Sequence, residues 1–238
     1  MFIILSFPKC ATKSTAAALH ALNPELVVMP RPFIAEKKTF FACKQWSVRH
    51  HGALFTGARK LDTWVARMQS YDVVHDVPFC YAYKEAAQCY PQAKFILCIR
   101  DADEWYTSLM ACSKLTHACC PQMLVDWFGT SNLTEATRER CKAVLTTHNA
   151  KIIAYFTQHY PTRLFVMTMP LDDQTYASLA CFAGFDCATH DTFPVVNTQD
   201  SPMREDVIIS MAEHPQFPVP TSHLVPTERR RRARRRKV

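Results

Sequence analysis

The chain has 238 residues, 48% of them apolar, which suffices for one sizeable α/β domain and excludes wholesale disorder. Its net charge of +7 sits at one end: with Arg229, Arg230, Arg231, Arg232, Arg234, Arg235, Arg236 and Lys237 set aside, 20 basic residues face 21 acidic ones. The charge therefore implies nothing about a pocket. No run approaches the ~18 apolar residues of a membrane span, and the short apolar start has no basic flank to make it a secretory signal.

In chain order, Phe2 to Phe7 reads as a buried parallel strand that Pro8 ends. A turn rich in Lys and hydroxyls follows, and then Ala16, Ala17, Ala18 and Leu19, which favour helix. Glu25 to Lys60 lacks a long period, and its Pro30, Pro32, Phe40, Phe41, Gly52 and Gly57 predict an irregular excursion, either a lid or acceptor-binding segment or a solvated loop. Leu61, Trp64, Val65 and Met68 predict an amphipathic helix over Lys60 to Gln69. Tyr71 to His75 is a short strand, and Pro78 opens a helix continuing from Phe79 to Tyr90. Lys94 to Ile99 is the most strand-like run, with Arg100-Asp101 at its carboxyl end, and Ala102 to Ala111 is helical. After a variable stretch, a long helix spans roughly Thr134 to Tyr160, capped by Asn132 or Thr134 and closed by Pro161. Arg163 to Thr168 is a strand. Asp172 or Asp173 caps a last helix that stops at Gly184.

This alternation predicts a three-layer α/β fold, a parallel sheet flanked by helices. Residues 1–199 form that domain, and residues 200–238 form a Pro-containing, Arg-rich, disordered tail. The tail reads as a nuclear-localisation signal, as a patch for an anionic partner, or as a solvated basic end. Eleven cysteines, an odd number scattered through apolar segments such as those of Cys98, Cys141 and Cys181, predict buried thiols and a cytoplasmic location. Cys112, His117, Cys119 and Cys120 lack a second C-x-x-C pair, so no metal is expected.

The first strand, turn and helix form the arrangement in which α/β proteins hold phosphate, because a helix N-terminus presents unpaired N–H groups and partial positive charge. Lys9 and Lys13 add charge, and Thr12, Ser14 and Thr15 add hydroxyls. The P-loop pattern G-x-x-x-x-G-K-[ST] fits at Lys13-Ser14 and fails at both glycines, which are Phe7 and Thr12. An exposed helix cap is the plainer reading. Pro8, Lys9, Cys10, Thr12, Lys13 and Ser14 resemble more closely the loop P-K-[CTS]-G-T-[TK]-S of sulfotransferases that use 3′-phosphoadenosine 5′-phosphosulfate (PAPS). Ala11 stands where glycine is usual. Asp76, Pro78, Tyr90, Pro91, Ala93, Lys94, Ile96, Leu97, Arg100, Asp101, Trp105, Tyr106 and Ser108 resemble a P-loop sulfotransferase subfamily with D-x-P, a helix, then Y-P-x-A-K-[FV]-I-L-x-x-R-D-x-[ED]-x-W-Y-x-S. His148-Asn149, Phe182 to Phe185, and Phe193-Pro194 with Asn197 resemble it as well.

The resemblance implies a fold of P-loop nucleotide-phosphate-binding type and a PAPS-dependent enzyme. Such an enzyme sulfates a hydroxyl or amine of a small-molecule or carbohydrate acceptor and leaves PAP. It implies that Lys9 neutralises the 5′-phosphate and the leaving-group charge, and that Cys10, Ala11, Thr12, Lys13 and Ser14 cradle that phosphate. It also implies that Arg100 and Ser108, eight residues apart, grip the 3′-phosphate; a guanidinium suits that task because it forks onto phosphate oxygens. For the general base, Asp76 occupies the place of the His in the H-x-P motif of cytosolic members, with His75 beside it and Glu36 as a third candidate. Asp76 is otherwise a cap for the helix at Pro78. A left-handed Ala11 would cost roughly 1–2 kcal/mol, whereas a negative φ would cost little. Two other readings stand: a small P-loop kinase or NTPase with Asp101 as its Mg²⁺ acid, and a catalytically inactive nucleotide-binding protein on this fold.

Overall fold

The structure, a computed structural model, describes residues 1–29, 69–75, 79–116, 127–130, 132–186 and 192–195, with the side chains of 112–116 set aside. Outside it lie the expected excursion and helix over 30–68, Glu36, Asp76 to Pro78, the group His117, Cys119 and Cys120, Asn197, and the tail.

Four parallel strands form one sheet in the order β2-β1-β3-β4: β1 (Phe2–Ile4), β2 (Val73–His75), β3 (Lys94–Ile99) and β4 (Leu164–Thr168). Ile3 sits between Val74 and Phe95, and Ile96 pairs with Phe165. Between and after the strands come α1 (Thr12–Leu22), α2 (Tyr83–Cys89), α3 (Ala102–Thr116), α4 (Arg138–His159) and α5 (Asp173–Ala183).

Side chains alternate across a strand, so each strand feeds two faces. Ile3, Leu5, Val74, Phe95 and Leu97 build one core with Tyr83, Ala86 and Ala87 of α2 and Ile152 and Phe156 of α4. On the other face α1 packs against β2 and α5, and Tyr176 donates to the Ala18 carbonyl at 3.4 Å. The expected three-layer α/β fold is therefore what the chain adopts.

Side-chain caps set the element ends. Asp172 accepts from the Thr175 amide at 2.8 Å to open α5, and left-handed Gly184 (φ 87°) closes it. Lys94 Nζ donates to the last carbonyls of α5, those of Phe182 (2.7 Å) and Ala183 (3.1 Å). Arg163 closes α2 by donating to the carbonyls of Ala87, Tyr90 and Ala93. Thr134 and Thr137 form a reciprocal cap over one 3₁₀ turn that leads into α4.

Beyond the shorter β1, β2 and α4, three details differ from expectation. α2 begins at Tyr83, because Phe79 and Cys80 are buried in a turn instead of starting the helix. α3 runs on to Thr116, past the expected end at Ala111. Cys10, Cys80, Cys98 and Cys141 are buried free thiols, and burial pushes Cys98 up to about 12, but Cys181, on the exposed side of α5, is disulfide-bonded.

Candidate functional site

The chain leaves β1 towards β2 on one side and β3 towards β4 on the other. The crevice outside the carboxyl ends of β1 and β3 is thus the topological switch point, where open α/β sheets bind ligands. Buried Ser6 accepts from the Cys98 amide at 2.7 Å and ties the two strand ends together there.

From that point the backbone makes two left-handed steps without a glycine. Phe7, Pro8, Lys9 and Cys10 form a turn closed by the Cys10 amide on the Phe7 carbonyl at 3.1 Å, with Lys9 at φ 73°. This is the type II pattern: proline presets the second position and a positive φ is required at the third. Ala11, the N-cap of α1, follows at φ 54°, ψ 23°. The two possibilities open at Ala11 are thereby resolved to the left-handed one. Lys9 and Ala11 are the only non-glycine residues with positive φ among those described. Strain of this kind persists only where the surroundings over-determine it.

Those surroundings are the carbonyl partners. Pro8 O accepts from Trp105 Nε1 at 3.0 Å, and Lys9 O from Arg100 Nη1 at 3.1 Å. Ala11 O accepts both the amide and the hydroxyl of Thr15 at 2.9 Å. The loop's carbonyls are therefore drawn back into the protein. Ala11 has no side-chain oxygen to offer the first turn of α1. A left-handed residue abutting a right-handed helix gathers successive amides into one concavity, which favours an anion.

Of the residues expected in the site, Lys9, Cys10, Ala11, Thr12, Lys13 and Ser14 lie on this loop and first turn, with Cys10, Thr12 and Ser14 buried. Among the described residues no hydrogen bond or ion pair engages the Lys9 ammonium. Arg100 is brought to the loop from β3. Its Nε is buried without a hydrogen-bond partner, 3.7 Å from Glu104 Oε2, a separation too long for a hydrogen bond. Ser108 is half-buried on α3, on the stripe of Arg100 and Glu104. Asp101 caps α3, its Oδ1 accepting from the amides of Asp103 and Glu104, both at 3.0 Å. His75 is buried at the end of β2, beside Ile4 and on the face turned to α1.

Sequence reasoning missed a cavity of about 420 Å³ on the opposite face, lined by Phe7, Tyr81 and Trp127 and by residues of α4. Phe7 opens the Phe7–Cys10 turn and stacks on His148 with ring centroids 4.4 Å apart. A readable signal existed: Arg140, Thr147, His148 and Lys151 fall on one stripe of the long helix.

A family model described as a sulfotransferase domain matches residues 1–201. Among solved structures, the chain is similar to a crystal structure of a sulfotransferase from Alicyclobacillus acidocaldarius. The identity is 15%, 89% of this chain and 90% of that chain are covered, and the TM-score is 0.49. No curated protein matches.

Proposed function

We propose, for a chain that belongs to the sulfotransferase-domain family, that it moves a sulfuryl group from PAPS to a hydroxyl or amine of a small-molecule acceptor. The observation that carries this reading is the bond from Arg100 Nη1 to the Lys9 carbonyl. It joins an amide-presenting turn to a guanidinium whose Nε still lacks a hydrogen-bond partner. A buried donor left unsatisfied costs about 1–3 kcal/mol, and a phosphate oxygen is the acceptor that relieves it.

PAPS supplies a sulfuryl group already linked to a good leaving phosphate. The first-turn amides of α1, with Thr12, Lys13 and Ser14, hold the 5′-phosphate. Lys9 neutralises charge growing on the leaving oxygen, and Arg100 with Ser108 holds the 3′-phosphate. Positioning and electrostatics supply most of the rate in such transfers, as they do in phosphoryl transfer.

A thermal-shift titration with PAP tests the reading on wild type, Lys9→Ala and Arg100→Ala, alongside a sulfuryl-transfer assay with PAPS. PAP raises the wild-type midpoint, Arg100→Ala loses most of that shift, and Lys9→Ala abolishes transfer. A wild type indifferent to PAP sinks the proposal.

A further inference from the structure

α4 buries Leu145, Ile152 and Phe156 completely. Beside that apolar stripe it carries Arg140, Thr147, His148 and Lys151 at intervals that share one helical face, and these residues line the cavity together with Phe7, Tyr81 and Trp127. The aromatic wall is ordered: Phe7 and Trp127 stack at 5.0 Å with 7° between their planes, and Tyr81 lies 4.8 Å from Trp127. Arg140 is seated against left-handed Gly129, where a Cβ would collide with its guanidinium. Among the described residues no acidic side chain lines the cavity.

His148 is the unexplained group. Its ring makes a hydrogen bond with the backbone of Cys80 that favours the protonated ring, so the ring donates and the carbonyl accepts. Nε2 is buried with no hydrogen-bond partner, so the bond belongs to Nδ1. With Nδ1–H committed to the carbonyl, Nε2 of the neutral ring carries the lone pair. A buried acceptor at a cavity wall calls for a donor from whatever occupies the cavity.

We propose that this cavity is the acceptor site, taking a ring-bearing acceptor with an anionic group: the ring lies against Tyr81 and Trp127, the anion pairs with Arg140 or Lys151, and the hydroxyl donates to His148 Nε2. The inference rests on the sulfotransferase reading for its chemistry. The acceptor oxygen forms the new S–O bond, and the bond from sulfur to the bridging oxygen of the 5′-phosphate breaks with its electron pair going to that oxygen. The hydroxyl proton passes to Nε2, leaving a sulfate ester and PAP. Burial, with Lys151 as a further cause, lowers the ring to about 4 and keeps it neutral. Among the described residues, Tyr81 and Tyr83 also meet the ring, through ring contacts at 5.3 and 6.2 Å between centroids. An anion beside Lys151 offsets that lysine's charge and makes the ring a better base, so acceptor charge and base strength are linked.

The test uses the full chain with 4-hydroxyphenylacetate as probe and its methyl ester as the neutral control. Calorimetry should find the acid bound about tenfold more tightly than the ester, with the preference reduced in Arg140→Gln or Lys151→Gln. Equal binding of acid and ester by wild type overturns the inference. With PAPS as donor, His148→Gln should lower kcat by on the order of 10²-fold and flatten the acid limb of its pH profile; undiminished turnover also overturns it. PAP binding is measured in parallel. Its absence refutes the donor reading alone, and the acid–ester comparison still decides the cavity.

Discussion

Arg100 Nη1 holds the Lys9 carbonyl at 3.1 Å, so the arginine at the end of β3 fixes the backbone of the lysine after β1. Arg100→Lys keeps the charge but cannot fork between that carbonyl and a phosphate. PAP affinity should fall roughly tenfold or more, as read by calorimetry, and an unchanged dissociation constant would show that the fork is not used.

Ala11 occupies the left-handed region at φ 54°. Glycine removes the Cβ clash there, offset in part by its greater freedom in the unfolded chain. Ala11→Gly should therefore stabilise the protein by about 1 kcal/mol, or ~2–4 °C in melting temperature. A lower midpoint would mean that the alanine methyl packs usefully.

Glu104 lies 3.7 Å from Arg100 Nε and is exposed. It competes with any phosphate for the guanidinium, and exposed pairs of this kind contribute ~0–1 kcal/mol. Glu104→Gln should tighten PAP binding a few-fold (about 2–5) at low salt and less at high salt. Weaker binding would show that the carboxylate is part of the site.

His148 is held at about 4 against the ordinary 6.5, chiefly by burial. Below 6.5 the unfolded ring takes a proton, while the folded ring does not until about 4. The unfolded state therefore binds more protons in that window, and stability falls as pH drops through it. The loss totals roughly 3 kcal/mol at ~1.4 kcal/mol per unit. Urea midpoints measured from pH 7 to pH 4 should fall for wild type and fall less for His148→Gln; parallel curves would place the cause elsewhere.

Arg163 donates to the carbonyls of Ala87, Tyr90 and Ala93 and lies over the rings of Phe95 and Tyr160. Arg163→Met keeps much of the stem but takes the side-chain donor from the Ala87 and Ala93 carbonyls and leaves Tyr90 O with only the Ala93 amide. It should cost roughly 2–4 kcal/mol, measured by denaturant unfolding, and a cost below about 0.5 kcal/mol would mean that water replaces the donors.

Elements fixed by local chemistry were legible in advance. β3 matches its expected ends because FILCI is an uninterrupted apolar run bounded by Lys94 and Arg100, and α5 lies between its Asp cap and its glycine. The sign of φ at Ala11 was not legible, because the carbonyls just before it, those of Pro8 and Lys9, are held by Trp105 and Arg100, far along the chain. The start of α2 also yielded to tertiary demand, the burial of Phe79 outweighing the helix-opening Pro78. The Lys9 loop and Arg100 were readable as motifs. The cavity was legible only in its helical part, since no local period connects the stripe of Arg140, Thr147, His148 and Lys151 to residues 7, 81 and 127.

The inner position of β1 bears on biosynthesis. Its neighbours both come later in the chain, and Ser6 waits for Cys98, 92 residues on, before its hydroxyl has a backbone to hold. At about 5–20 residues per second, a ribosome takes several seconds to supply that partner. The loop after β1 is translated early but completed late. The donors that hold its Pro8 and Lys9 carbonyls, Trp105 and Arg100, are made only then.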